Sequence, residues 1–186
     1  MTKNELRKKY KALREDLSTL EIEELSLKIA NQSLELEVWE FEFYHIFLSI
    51  TKHKEVNTEY ILQIIFGKDG NAVVPKVKDS ELKHFLLTDS TRLKPSTWGI
   101  PEPEKGIEID AKQLDVVLMP LLAYDRIGNR IGYGKGFYDK FLSECRPDTL
   151  KVGLSFFEPE ERPIEVSKHD IRLDYCITPT RVHRFN

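Results

Sequence analysis

Residues 114–119 (LDVVLM) form a near-continuous apolar run of strand length, stopped by Pro120 and followed by the glycine-rich segment 124–139 (YDRIGNRIGYGKGFYD). A strand with no polar alternation is buried on both faces, and the usual setting for one is a parallel sheet covered by helices. Residues 44–50 (YHIFLSI) have the same aromatic and β-branched character. Further strands are expected at 72–77, where Pro75 marks a strand end or edge, at 84–88, at 151–156 and, last, at 175–178. Between them lie helical signals. Thr2 with Glu5, and Ser18 with Glu21, read as capping boxes. Leu6, Tyr10, Leu13 and Leu17 then recur at helical spacing on one face, as do Ile22, Leu25 and Ile29. Residues 58–66, closed by Gly67, predict a third helix, and 136–145 a fourth. Strands alternating with helices predict an α/β fold: one domain over 1–186, with a largely parallel sheet and helices on both faces, three layers in all. Residues 89–112, with Pro95, Pro101 and Pro103 around Trp98 and Gly99, read as an irregular lid or wall.

The chain has 186 residues, enough for one core without disulfides or metals. Its 28 basic and 31 acidic residues give a net charge of −3, which offers no general attraction to nucleic acid. Any anion site must therefore be local. Cys145 and Cys176 are the two cysteines and form no Cys-x-x-Cys pair, which fits a reduced cytoplasm. No apolar run reaches membrane-spanning length, so no membrane association is expected.

The glycine-rich segment leaves a buried strand and runs into a helix. In open α/β sheets ligands collect beyond the carboxyl ends of the strands, where a helix amino terminus offers free N–H groups. Gly132, Gly134 and Gly136 can each take positive φ and point successive amides at one anion, and Lys135 adds a charge. Two familiar phosphate motifs do not match. A P-loop needs Ser or Thr where Gly136 stands and glycine where Asn129 stands, and a dinucleotide fingerprint from Gly132 needs glycine where Phe137 stands. The plainer alternative is a tight strand-to-helix turn with Lys135 and Asp139 paired at i, i+4.

The segment MPLLAYDRIGNRIGYGKGFYDKFL resembles the signature of the 5-formyltetrahydrofolate cyclo-ligases, also called methenyltetrahydrofolate synthetases. KNELR at Lys3, FLSITKHKEVNT around Glu55, STWGIPEP around Trp98, GLSF at Gly153 and HDIRLD at His169 are similar to further stretches of that family. The resemblance implies an ATP- and magnesium-dependent closure of 5-formyltetrahydrofolate to 5,10-methenyltetrahydrofolate, with release of ADP and phosphate. It places Lys3, Asn4, Glu5, Leu6 and Arg7 on one side of ATP. On the other side it places Arg130, Ile131, Gly132, Tyr133, Gly134, Lys135, Gly136, Phe137 and Tyr138. Lys3, Arg7, Arg130 and Lys135 would face the phosphates, with Arg130 and Lys135 catalytic.

Asp139 and Asp174 would hold Mg2+, a cation that takes oxygen ligands. Taken alone, Asp174 reads as a polar residue leading into a terminal strand. Glu55 would bind the pterin edge, with Ile50, or Leu48 in its stead, and Trp98 and Tyr133 as apolar or stacking surface. A monomer or weak dimer is expected. The competing classes are a noncatalytic nucleotide-binding module and a small-molecule kinase.

Overall fold

The computed structural model describes residues 1–185. Helices α1 (Lys3–Glu15) and α2 (Thr19–Ser33) both start at reciprocal caps. The Thr2 hydroxyl accepts from the Glu5 amide while the Glu5 carboxylate accepts from the Thr2 amide, and Ser18 and Glu21 repeat the exchange. The caps satisfy donors that a first helical turn leaves without acceptors. There follow β1 (Phe43–Ile46), a 3-10 turn (Thr51–His53), α3 (Glu59–Gly67), β2 (Asn71–Lys78), β3 (Glu81–Leu86), β4 (Leu93–Pro95) and β5 (Pro101–Pro103). After a second 3-10 turn (Ala111–Gln113) come β6 (Val116–Pro120), β7 (Ala123–Tyr124), β8 (Arg130–Ile131), α4 (Phe137–Glu144), β9 (Leu150–Leu154), β10 (Tyr175–Ile177) and β11 (Val182–Arg184).

Seven strands form the main sheet in the order β11-β10-β9-β6-β1-β2-β3. The inner five run parallel, and β3 and β11 close the edges antiparallel. Two-residue alternation assigns the faces. Tyr44, Ile46, Val116 and Leu118 meet Ile29 of α2 and Ile61 and Ile65 of α3. Val73, Val117 and Met119 meet Phe141 and Leu142 of α4 on the other face. The mostly parallel α/β sheet expected from the strand runs is present, with helices on both sides. No helix of the described residues is long and apolar enough to cross a membrane.

Several expectations change. Strand β1 ends at Ile46, and the chain beyond it leaves the sheet through the 3-10 turn to Lys54, which lies in the left-handed region at φ 46. Pro75 sits within β2 rather than at its end, but pairing with β1 has already stopped at Val73 and only β3 remains alongside, so the expected edge position holds. The 89–112 segment is not wholly irregular, because β4 and β5 pair as a short antiparallel hairpin with Trp98 at its turn. A further hairpin, β7–β8, stands between β6 and the glycine-rich turn. The last strand is β11, not the one at Tyr175.

Helix α1 does not lie on the sheet. Leu6 and Tyr10 pack with Leu122, Ala123 and Ile131 of the β7–β8 region, so α1 sits near the carboxyl ends of the parallel strands. That placement explains why Leu13 is 37% exposed while Arg14 is 3% exposed. The inward face of α1 meets backbone carbonyls there as well as apolar side chains.

Candidate functional site

A cavity of about 530 Å³ opens beyond the carboxyl ends of β1, β2 and β6, bordered by Leu48, Val77 and Pro120. Polar groups reach it from α1, from the turn between β8 and α4 and from the stretch after β1, with Glu102 added by β5. Each is positioned by local chemistry.

The β7–β8 hairpin is held by Asp125, which is 1% exposed. Its Oδ1 accepts from the amides of Ile127 and Asn129, and its Oδ2 from Asn129 Nδ2 and the Ile164 amide. Gly128 completes the turn at φ +85, where a Cβ would lie 2.9 Å from the Leu173 carbonyl oxygen. The turn beyond β8 has positive φ at Gly134 and Gly136 but not at Gly132, contrary to expectation. Gly132 contributes its carbonyl, which accepts from Arg7 Nε at 3.0 Å, and Gly134 lies against the same guanidinium, 3.0 Å from a built Cβ to Arg7 Cζ. Gly136 caps α4 in the left-handed conformation with no side-chain cap bond. The first intrahelical bond is from the Lys140 amide to the Gly136 carbonyl, so the amides of Phe137, Tyr138 and Asp139 have no acceptor within the helix.

Lys3, Arg7, Arg130 and Lys135 all border the cavity, as do residues 131–134 and 136–138. Lys3 pairs with Asp170, and Lys135 Nζ stands 3.1 Å from the Trp98 ring centroid. Asn4, Glu5 and Leu6 do not border it. Asn4 bonds Arg7, Glu5 caps its own helix and Leu6 is packed inward. At 3.6 residues per turn α1 can present Lys3 and Arg7 to one side only, and the three residues between them point elsewhere.

Asp139 pairs with Arg130 at 2.9 Å, not with Lys135. Its Oδ1 accepts from Arg130 and from the Ile171 amide. The other oxygen, Oδ2, takes no hydrogen bond among the described residues and is the one free to ligate a cation. Asp174 does not line the cavity. It lies at the amino end of β10, where Oδ2 accepts from the Lys151 amide and forms an ion pair with Lys151 Nζ, both at 2.8 Å. The second aspartate expected from the resemblance is therefore not brought in beside Asp139. One carboxylate plus nucleotide oxygens is within the usual donor set of Mg2+, so the site suits that ion through Asp139 alone.

Ile50, Glu55, Trp98 and Tyr133 all border the cavity, and so does Leu48. Glu55 is 4% exposed. Burial pushes its carboxyl up from the ordinary range, opposed by the Ile50 amide, the Tyr133 hydroxyl and the charge of Arg14. The Ile50 amide donates to Oε2 and the Tyr133 hydroxyl to Oε1, each at 2.7 Å. Burial, reinforced by Glu55, raises the Tyr133 phenol, so it is a neutral donor near pH 7.

Sequence reasoning missed three groups. Lys11 lies 5.8 Å from the Tyr133 ring centroid, and Arg14 donates to the Tyr133 hydroxyl at 2.7 Å. The spacing Lys3, Arg7, Lys11, Arg14 follows one helix face and was the available signal. Glu102, 9% exposed, borders the cavity and accepts from the Val77 amide. It lies within STWGIPEP, the stretch already singled out around Trp98, where it received no role.

The family model described as the 5-formyltetrahydrofolate cyclo-ligase family matches residues 1–179. A 5-formyltetrahydrofolate cyclo-ligase of Mus musculus is 32% identical over 69% of this chain and 69% of its own length. One of Haemophilus influenzae is 27% identical over 83% of this chain and 85% of its own. The solved structure of Aquifex aeolicus 5,10-methenyltetrahydrofolate synthetase superposes with a TM-score of 0.85 at 29% identity, covering 100% of this chain and 94% of that one.

Proposed function

Since the chain belongs to the 5-formyltetrahydrofolate cyclo-ligase family, we propose that the cavity converts 5-formyltetrahydrofolate to 5,10-methenyltetrahydrofolate at the expense of ATP, with Mg2+. The observation that carries this reading is a single cavity lined by two chemically distinct sets of groups. One is the Lys3, Arg7 and Lys135 cations with the amino terminus of α4, and the other is a buried carboxylate, Glu55, with apolar and aromatic side chains. Tyr133 belongs to both, with its backbone in the glycine turn and its hydroxyl on Glu55.

The cationic set would hold the triphosphate, with Asp139 Oδ2 supplying the protein's carboxylate to Mg2+, which neutralises phosphate charge when bound. The other set would hold the pterin ring system, with Glu55 accepting from its N–H edge. The formyl oxygen attacks the γ-phosphorus, the bond to the β-phosphate bridge breaks, and ADP leaves. N10 of the same molecule then attacks the activated formyl carbon, the carbon–oxygen bond breaks with loss of phosphate, and the N10 proton goes to water or phosphate. No protein nucleophile is needed. What the chain supplies is in-line placement of two bound molecules and fixed positive charge around the transferring group.

The test mixes protein, MgATP and 5-formyltetrahydrofolate and follows the near-ultraviolet absorbance of the methenyl product. Product formation in step with ADP supports the reading. ADP without methenyl product would instead indicate a kinase acting on another acceptor, and neither product a binding module.

Asp139→Asn bears on the metal assignment. It keeps a neutral oxygen at the site but weakens both the charge toward Mg2+ and the pair with Arg130. The magnesium concentration for half-maximal rate is expected to rise about tenfold or more. An unchanged magnesium titration would restrict Asp139 to its ion pair.

A further inference from the structure

Arg14 is 3% exposed, yet its partners are a phenol and two carbonyls, none of them a carboxylate. Nη2 donates to the Leu121 carbonyl at 2.6 Å, and Nη1 donates to the Tyr133 hydroxyl at 2.7 Å and reaches the His53 carbonyl at 3.5 Å. A buried guanidinium is costly unless its charge is compensated. Here compensation is one group removed, because the Tyr133 hydroxyl in turn meets Glu55 Oε1 at 2.7 Å.

The chemistry of the chain fixes its direction. A guanidinium has donors only, so the Tyr133 oxygen must accept from Arg14. A phenol carries a single hydrogen, which is then directed at Glu55. Three separate elements meet in this chain: Arg14 on α1, Tyr133 in the glycine turn, and Glu55 after the 3-10 turn. Tyr133 also lies between Gly132 and Gly134, whose backbone is held against Arg7, and its ring packs 5.0 Å from that of His53. The aim of Glu55 and the course of the turn are thus joined through one hydroxyl.

We propose that Arg14 is a positioning residue that locks the Tyr133 hydroxyl onto Glu55, so that the two substrates of the proposed reaction bind with positive linkage through Tyr133. Order imposed on the glycine turn by one ligand need not be imposed again by the other, and this saving appears as mutual tightening. The inference rests on the function proposed above.

Tyr133→Phe is the most informative variant, because it removes one oxygen and keeps the ring against His53. Binding of 5-formyltetrahydrofolate and of a magnesium complex of a non-hydrolysable ATP analogue is measured by calorimetry, each alone and in the presence of the other. In the wild type each ligand is expected to tighten the other about fivefold or more. In Tyr133→Phe the folate alone should bind about tenfold more weakly, and the linkage should fall to about one. Arg14→Lys, which replaces the two-nitrogen fork spanning Leu121 and Tyr133 by a single ammonium, should lose linkage in the same way. Should that variant not fold, Tyr133→Phe decides alone. Wild-type linkage retained in Tyr133→Phe, or no linkage in the wild type, overturns the inference while leaving the function standing if the wild type forms methenyl product. A wild type that forms no methenyl product removes both.

Discussion

Lys135→Ala is expected to lower kcat/KM for the ring closure about a hundredfold or more, equivalent to about 3 kcal/mol of transition-state stabilisation. Lys135 lies between two positive-φ glycines, at the lip of the cavity and immediately before the uncapped amino terminus of α4. The role proposed for it requires the ammonium to exchange the Trp98 ring for the transferring phosphoryl group. The side chain is exposed, and its aromatic partner Trp98 is itself 59% exposed, so that contact contributes about 1 kcal/mol or less. The melting temperature should hardly move. Steady-state rates from methenyl absorbance, beside thermal melts of both proteins, separate the two effects. Lys135→Arg should recover part of the loss, since charge rather than shape is at issue. Near-normal turnover in the alanine variant would remove Lys135 from the chemistry.

Acidification between pH 6.5 and 4 is expected to destabilise the fold by about 3 kcal/mol through His84 alone, with a further loss through His45. His45 of β1 and His84 of β3 are 0% and 4% exposed, lie 5.2 Å apart ring to ring, and both pack on Phe141 of α4. Among the described residues, none of their four ring nitrogens has a hydrogen-bond partner. Burial lowers His84 to about 4, helped by Lys83, and takes His45 well below 6.5, helped by His84. The unfolded chain binds a proton at each histidine near pH 6.5 while the folded chain resists it. Stability is therefore complete above pH 6.5 and falls as the pH drops toward the folded values. Urea unfolding at pH 7 and at pH 4.5 measures the loss, and His84→Phe should flatten the profile. A free energy of unfolding constant over that range would mean that the histidines find partners on protonation.

The fold was legible where local and long-range chemistry agree. Both capping boxes occur as read, and the apolar run at residues 114–119 is the central strand β6, because a strand flanked by strands and covered on both faces tolerates no polar alternation. The β7–β8 hairpin was illegible because each strand is only two residues long and its turn is held by a side chain, Asp125. Residues 47–50 resemble a continuing strand, but leaving the sheet is what carries Ile50 and Glu55 to the cavity. Helix periodicity predicted Leu13 inward. Arg14 is inward instead, since the partner at that point is the Leu121 carbonyl. Spacing alone paired Asp139 with Lys135, whereas its carboxylate pairs with Arg130, and only the resemblance pointed it at the cavity. Spacing could not show that Asp174, thirty-five residues later, would be engaged by Lys151 at the other end of a strand.

Amide spectra of isotopically labelled protein, recorded during titration with magnesium and a non-hydrolysable ATP analogue, address the phosphate site most directly. The account predicts saturable shifts of Gly132, Gly134, Gly136 and Phe137, the amides of the turn and of the uncapped helix terminus. Saturation with the nucleotide while those four signals stay in place would contradict it.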